Sequence, residues 1–175
     1  SAISIQLSQL LVKKQNVEKE DLSSLADKVQ YGIVEVRNVS HALKPDVLEN
    51  FGLVPAIVEV CNNLSTEIGP SISFNHIDVE RRFEEVIEIN VYRIVQELVN
   101  NCIKHAKAKD VFVTLIKDED KLVLTVEDDG EGMADLDHTG IGLNNVKLRA
   151  DIINGEMNID SAVGKGSLIN IEVPI

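Results

Sequence analysis

The sequence has no tryptophan, and its phenylalanines and tyrosines together make up only 3% of 175 residues. Because 44% of the residues are hydrophobic, a core is expected, and it must be built from isoleucine, valine and leucine. Cysteine is also rare. Cys61 and Cys102 lie in helix-like apolar patterns, which favours buried reduced thiols over a disulfide framework. No apolar run approaches the roughly 18 residues of a membrane-spanning helix, and no signal peptide is apparent, so a cytoplasmic location is predicted.

Positive charge is scarce as well. The formal net charge is −12, which excludes the basic face that a nucleic-acid partner requires. A polyanion would have to bind through local hydrogen-bond donors, because the overall field would repel it. The chain begins within an apolar pattern and without methionine, so we expect it to be part of a longer protein. Any membrane attachment is then expected outside these residues.

The first 45 residues predict a helical hairpin. Residues 1–15 have one apolar face, and 21–43 read as a long helix with apolar residues spaced by seven, which is typical of a narrow coiled-coil seam. Two such helices cannot bury both faces alone, so a four-helix bundle in a homodimer is expected. Pro45 ends or kinks the second helix. The predicted domains are therefore a partial dimerisation hairpin, 1–45, and a second domain, 46–175.

The second domain combines helices with paired strands. Apolar spacing predicts helices over 53–69, 87–106 and near 142–153, and strands over 71–77, 111–117, 121–128, 156–161 and 167–173. The charged segment 78–85 is a short strand or a loop. Since the strands come in hairpin-like pairs and do not alternate with helices, the predicted fold is α+β, an α/β sandwich whose mixed sheet is covered on one face by helices.

The stretch 96-QELVNNCIKHA-106 carries a polar row on its predicted helix. Glu97, Asn101 and His105 are spaced by four, so they fall within an arc of about 80° beside the apolar face. A carboxylate, an amide and an imidazole in line could hold a hydrated Mg²⁺ and a phosphate. The alternative is a polar boundary row with no ligand. By spacing alone, Lys104 and Lys107 favour solvent.

The stretch 127-EDDGEGM-133 places acidic residues at a predicted strand end. If Asp129 points outward, then Asp128 points inward, and a buried carboxylate needs a hydrogen-bond donor. An amino group on a flat ligand ring would supply one, and Gly130 and Gly132 would let the ring or the backbone approach closely. The alternative is an acidic surface turn.

Two further glycine motifs follow. In 139-TGIGLNNVKLRA-150, Gly140 and Gly142 open a helix whose free N–H groups favour phosphate. Asn145 stands where a dinucleotide-binding fingerprint has its third glycine, and no strand precedes the motif. In 164-GKGS-167, Ser167 could donate to or accept from a ring nitrogen or a water. The alternatives are a helix cap and a plain hairpin turn.

In this order and spacing the motifs resemble the ATP-binding (Bergerat-fold) domain of sensor histidine kinases, in the superfamily shared with gyrase, heat-shock chaperone and mismatch-repair ATPases. The resemblance covers 88–175, where "QELVNNCIKHA" is similar to the N box, "DDGEGM" and "TGIGLNNVKLRA" to the glycine boxes, and "GKGS" to the final Gly-[Ser/Thr] motif. The front stretch "VRNVSHALKPDVLENFGL" resembles the dimerisation domain and connector of the short-lid subfamily of nitrate-sensor and membrane-fluidity-sensor kinases. The short segment 134–138 fits the lid of that subfamily.

The resemblance implies ATP and Mg²⁺ as cofactors and assigns roles. Asp128 would bind the adenine amino group, Asn101 would ligate Mg²⁺, and Glu97 would orient or deprotonate the attacking group. Gly140 and Gly142 would hinge the lid and present N–H groups to phosphate, and Ser167 would replace a threonine of the adenine site. The full nucleotide-binding set is Asn101, Lys104, His105, Asp128, Gly130, Gly132, Met133, Gly140, Ile141, Gly142, Leu143 and Ser167.

A kinase of this type needs an acceptor histidine. Of His41, His76, His105 and His138, His41 lies in "SHALKP", similar to a known phosphoacceptor box, but on the second helix of the hairpin where the family has its acceptor on the first. We therefore expect the acceptor just before residue 1. The predicted function is the catalytic part of a two-component sensor histidine kinase that phosphorylates a histidine and then a response-regulator aspartate. A nucleotide-binding or dimerisation module without transfer activity is the alternative. A serine kinase of the anti-sigma type and a chaperone-like ATPase are disfavoured by the hairpin.

Overall fold

The computed structural model describes residues 45–65, 69–133 and 141–175, all within the unit Pro45–Ile175. The predicted hairpin, with His41, and the predicted lid, with His138 and Gly140, lie outside the described residues. Across the three described ranges, no helix is both long enough and apolar enough to cross a membrane.

The described unit contains four α-helices, a π-helical segment and five strands. The helices are α1 (Asp46–Phe51), α2 (Leu53–Leu64), α3 (Glu85–Asn101) and α4 (Ile141–Ile152), and the π-helical segment is Cys102–Ala106. The strands are β1 (Ser71–Ile77), β2 (Asp110–Asp118), β3 (Lys121–Asp128), β4 (Glu156–Ser161) and β5 (Ser167–Pro174).

The five strands form one mixed sheet in the order β1-β2-β3-β5-β4. β1 pairs with β2 in parallel, and the other three pairings are antiparallel. The hairpin pairs β2–β3 and β4–β5 confirm the predicted strand pairing. In β3, Leu122, Leu124 and Val126 are buried because alternate side chains of a strand point to the same face.

Helices cover one face of this sheet, which confirms the predicted sandwich. Strand register aligns buried side chains into rows across the sheet, for example Leu115, Leu124 and Ile171. The apolar side of α3, which includes Ile94 and Leu98, is buried in the same core. α2 packs on β1, α3 on β3, and α4 on β4 and α3. The core is therefore aliphatic, as the composition requires.

Two predicted helix ends are wrong. The α-helix predicted to end at residue 106 ends at Asn101 and continues as the π-helical segment, after which Lys107 takes a left-handed conformation with φ 51°. A π turn holds more residues than an α turn, so His105 does not continue the row set by the spacing of four. The helix predicted over 53–69 ends at Leu64. Of the two alternatives for the segment 78–85, the loop is correct over residues 78–84.

An ion pair between the buried Glu88 and the exposed Arg82 joins α1 to α3. The carboxylate of Glu88 is fully buried and accepts two N–H groups of Arg82, each at 2.8 Å. Arg82 also donates to the carbonyl oxygens of Leu48 and Glu49 near the end of α1. The backbone N–H of Phe83 is a third donor to Glu88, at 3.0 Å. Because a buried carboxylate needs such donors, this contact fixes the loop before α3 and the end of α1 together.

Candidate functional site

The candidate site lies where the buried rows of the sheet give way to polar residues. Register pairs Asp128 of β3 with Ser167 of β5, and Ser167 with Ser161 of β4. These three positions continue the face that packs on the helices, one row beyond Val126 and Ile169. Asp128 and Ser167, predicted from separate motifs, are therefore cross-strand neighbours.

Asp128 points inward and Asp129 points outward, as the alternation predicted. Asp128 is 7% exposed, and its Oδ1 accepts the N–H of Gly130 at 2.9 Å. Its Oδ2 accepts a hydrogen bond from the thiol of Cys102, with a sulfur–oxygen distance of 3.8 Å. The exposed Asp129 accepts the backbone N–H groups of Lys109 and Asp110 at 2.7 and 3.0 Å, and these bonds lower the pKa of its carboxyl.

Backbone hydrogen bonds fix the loop that follows Asp128. The N–H of Glu131 donates to the carbonyl of Ala106 at 2.8 Å, and the carbonyl of Glu131 accepts the N–H of Gly164 at 2.7 Å. The N–H of Met133 donates to Oγ of Ser161 at 2.8 Å. The glycine loop is thus bonded both to the end of the π-helical segment and to the β4–β5 turn.

The close approach at Gly166 requires a glycine. Its φ is +79°, and a Cβ at this position would overlap the carbonyl oxygen of Asp128. The next residue, Ser167, has its Oγ 3.0 Å from Oγ of Ser161, which also lies 3.0 Å from the Gly166 carbonyl. If Ser161 donates to that carbonyl, then Ser167 donates to Ser161 and keeps its lone pairs for a ligand or a water.

The start of α4 lies against the polar row of α3. A Cβ on Gly142 would lie 2.7 Å from Oε1 of Glu97 and 3.0 Å from Nδ2 of Asn101. Three residues predicted from two distant motifs are therefore in contact range, and any side chain at 142 would displace two of them. Glu97 and Asn101 are half-buried, which leaves their polar atoms partly accessible.

The other predicted binding residues fall in different environments. Leu143 and Met133 are half-buried beside the glycine motifs, whereas Ile141 is 53% exposed. Lys104 and His105 are exposed on the π-helical segment.

Sequence reasoning missed three residues at this site. Cys102 was expected only as a buried thiol, and Ser161 lacks any motif of its own. Arg149 of α4 is half-buried, and its Nη1 lies 3.4 Å from Oδ1 of Asn90 on α3. Burial and the charge of Arg93 lower the pKa of Arg149, and the charge of Glu97 raises it. The sequence did contain a signal for Arg149, because a spacing of seven residues places it on the same helix face as Gly142.

A mixed sheet under helices, with a buried aspartate and glycine motifs at one edge, defines the class of ATPase domains that the sequence resembles. Residues 86–175, just over half of the chain, match the family described as "Histidine kinase-, DNA gyrase B-, and HSP90-like ATPase". The chain belongs to this family.

The chain is 32% identical over 175 residues to the oxygen sensor histidine kinase NreB of Staphylococcus carnosus (strain TM300), a match covering 95% of this chain and 50% of that protein. It is 29% identical to the signal transduction histidine-protein kinase/phosphatase DegS of Brevibacillus brevis, covering 89% and 41%. It is also 29% identical to the sensor histidine kinase ComP of Bacillus subtilis (strain 168), covering 90% and 21%. The chain thus spans half or less of the length of these relatives.

Solved structures show the same fold. The histidine kinase AdeS of Acinetobacter baumannii superimposes with a TM-score of 0.58 at 14% identity, covering 99% of this chain and 93% of that one. The blue-light activated histidine kinase of Erythrobacter litoralis EL346 superimposes with a TM-score of 0.54 at 24% identity, covering 68% and 39%. At these identities the likeness concerns the fold alone.

Proposed function

We propose that this chain binds Mg²⁺-ATP at the edge of its sheet and supplies the catalytic part of a sensor histidine kinase. The observation that carries the proposal is the buried carboxylate of Asp128 on the sheet edge, in a domain whose Gly142 meets Glu97 and Asn101. One part of the site is suited to a ring amino group and the other to a metal-bound phosphate.

The adenine part of the site is built around Asp128. A carboxylate accepts up to four hydrogen bonds, and two are already taken by Gly130 and Cys102. The remaining acceptor capacity suits the exocyclic amino group of adenine. Ser167, the cross-strand neighbour, offers lone pairs on the same side of the sheet.

The phosphate part of the site is built around Asn101 and Glu97. The side-chain oxygen of Asn101 is a suitable Mg²⁺ ligand, and free N–H groups at the start of the 12-residue helix α4 favour phosphate oxygens. Among the side chains that the structure describes, no three of His, Cys, Asp and Glu gather into a metal cluster. Mg²⁺ would therefore be held by Asn101, by waters and by the phosphates themselves.

In the proposed reaction, bound Mg²⁺ neutralises charge on the phosphates, and the residues of this chain position the reacting groups. Glu97 orients the attacking imidazole or takes its proton. We infer that the acceptor is a histidine outside these 175 residues. Of the two described histidines, His76 lies on β1 with its Nδ1 3.1 Å from a carboxylate oxygen of Glu80, and His105 lies on the π-helical segment.

The proposal extends to the partners of the whole protein. We infer two partners, a second copy of the chain, bound through the hairpin predicted over residues 1–45, and a response-regulator receiver domain. Support comes from the relatives NreB and DegS, which are histidine kinases by name. The short-lid subfamily stays a prediction from the sequence resemblance.

Calorimetric titration with a non-hydrolysable ATP analogue tests the adenine assignment. In Asp128→Asn the new amide N–H₂ would face both the Cys102 thiol and the ligand amino group. Loss of one charge-assisted bond costs about 1.5–3 kcal/mol, or roughly 10- to 100-fold in affinity, and the donor–donor conflict adds to this. Asp129→Asn is the matched control, because its Oδ1 can still accept the two backbone N–H groups.

We expect Mg²⁺-dependent binding by the parent and by Asp129→Asn, and at least 100-fold weaker binding by Asp128→Asn. Equal affinity of the Asp128 and Asp129 variants would refute the adenine assignment. Absence of binding by the parent would favour a dimerisation module without nucleotide.

A further inference from the structure

Cys102 and Asp128 are 26 positions apart in sequence and meet at the buried edge of the proposed adenine site. The thiol sulfur lies 3.8 Å from Oδ2 of Asp128, and both residues are at most 7% exposed. Cys102 is also the first residue of the π-helical segment, directly after Asn101. Consecutive residues of one helix therefore face the two parts of the proposed nucleotide site.

The Cys102 thiol is the donor in its hydrogen bond with Asp128. The atom that faces the thiol sulfur is Oδ2 of the Asp128 carboxylate. A protonated thiol beside a carboxylate donates its hydrogen, because an ionised carboxylate is only an acceptor. Burial also keeps the sulfur unreactive, which argues against a role as a nucleophile or as a redox sensor.

We propose that Cys102 is a positioning residue that makes the site selective for a purine with an exocyclic amino group. Its S–H bond holds Oδ2 of Asp128, while the Gly130 N–H holds Oδ1. With both oxygens held, the carboxylate presents its remaining lone pairs toward the ligand. A ring amino group meets an acceptor there, whereas a ring carbonyl meets a negative charge.

This inference rests on the proposed function, since it assumes a purine nucleotide beside Asp128. It adds that the discrimination between amino and carbonyl purines depends on a residue outside the glycine motifs. Without the thiol, the carboxylate can rotate and expose Oδ2 to water, and a carbonyl purine is then rejected less strongly.

Cys61 provides a matched control. It is also a buried free thiol, on α2, and burial raises its pKa to about 11. Removal of either thiol takes away a similar amount of core packing, but only Cys102 contacts the carboxylate.

The test compares the affinities of non-hydrolysable ATP and inosine triphosphate analogues for the 175-residue chain and for Cys102→Ala, Cys102→Ser and Cys61→Ala. The parent and Cys61→Ala should strongly prefer ATP. In Cys102→Ala the ATP/ITP affinity ratio should fall by about 5- to 10-fold, the range for one lost neutral hydrogen bond. Cys102→Ser should restore only part of the ratio, because its hydroxyl can donate to the same oxygen only after the two side chains approach by roughly 1 Å.

An unchanged ratio in Cys102→Ala would overturn the inference, even if both affinities fell together. A parent that binds neither nucleotide would instead overturn the proposed function. If Cys102→Ala does not fold, Cys102→Val, which keeps an apolar side chain and removes the donor, is tested with the same two nucleotides. An ATP/ITP ratio equal to that of the parent would then refute the inference.

Discussion

Replacement of Gly142 by alanine separates stability from nucleotide binding. Alanine is the better helix former by about 0.5–1 kcal/mol in a helix interior, and Gly142 lies in the first turn of α4 without a positive φ. The three atoms nearest to the new methyl group would be side-chain atoms of Glu97 and Asn101. The fold should therefore tolerate it.

The geometry sets the size of the functional effect. The alanine Cβ would lie 2.7 Å from Oε1 of Glu97 and 3.0–3.1 Å from the amide atoms of Asn101. Since non-bonded contacts prefer about 3.5–4.0 Å, these groups must move by roughly 0.5–1 Å. Displacement of a ligand by about 1 Å can cost 100-fold in a positioned reaction, and loss of a charge-assisted contact costs about 1.5–3 kcal/mol.

The assay is titration of Gly142→Ala with a non-hydrolysable ATP analogue, with and without Mg²⁺, alongside thermal unfolding. We expect Mg²⁺-dependent affinity to fall by at least 10-fold, with little change in Mg²⁺-free affinity and an unchanged or higher unfolding midpoint. Leu148→Ala is the control, because Leu148 lies on the same helix and is 61% exposed. Parent-like Mg²⁺-dependent binding by Gly142→Ala would show that Asn101 does not hold the metal.

Two further predictions concern stability. Arg82→Gln should lower the unfolding midpoint by more than Arg81→Gln, because the fully buried Glu88 loses its charged partner. Addition of Glu88→Gln to the Arg82 variant should recover part of the lost stability. No recovery in the double variant would contradict this. The folded pKa values of Cys61 and Cys102, about 11 and 12, lie above the ordinary thiol value of 9.0. Unfolding exposes more acidic thiols, so their contribution to stability is complete below about pH 9 and is lost as the pH rises toward 11–12. Chemical denaturation from about pH 8 to 11 should show that the free energy of unfolding falls less steeply with pH in the double alanine variant than in the parent. Equal slopes would count against the raised pKa values of the two thiols.

Local patterns in the sequence predicted the strands and the inward face of Asp128. β3 and β4 begin and end where the alternation of apolar and polar residues placed them. The spacing of four put Glu97 and Asn101 on one side of a helix, because the α-helical repeat is a local property of the backbone. The order of the glycine motifs gave the family resemblance, and the family match confirmed it.

The same patterns failed where local and tertiary preferences compete. The apolar spacing through residue 106 fits an α-helix, yet the structure forms a π turn from Cys102, and the carbonyl of Ala106 receives the N–H of Glu131. Helix propensity is weak beside such tertiary contacts, so the sequence by itself did not place the end of α3 correctly.

The sequence by itself therefore determined the individual elements, the aliphatic core and the chemical types of the site residues. Only the tertiary structure decided which of them meet: β5 pairs with β3 and brings Ser167 beside Asp128, and α4 returns along α3 and brings Gly142 to Glu97. The contact between Cys102 and Asp128 arises in the same way. Local periodicity depends on neighbouring residues along the chain, whereas strand order and helix packing depend on burying the apolar faces of all elements in one core.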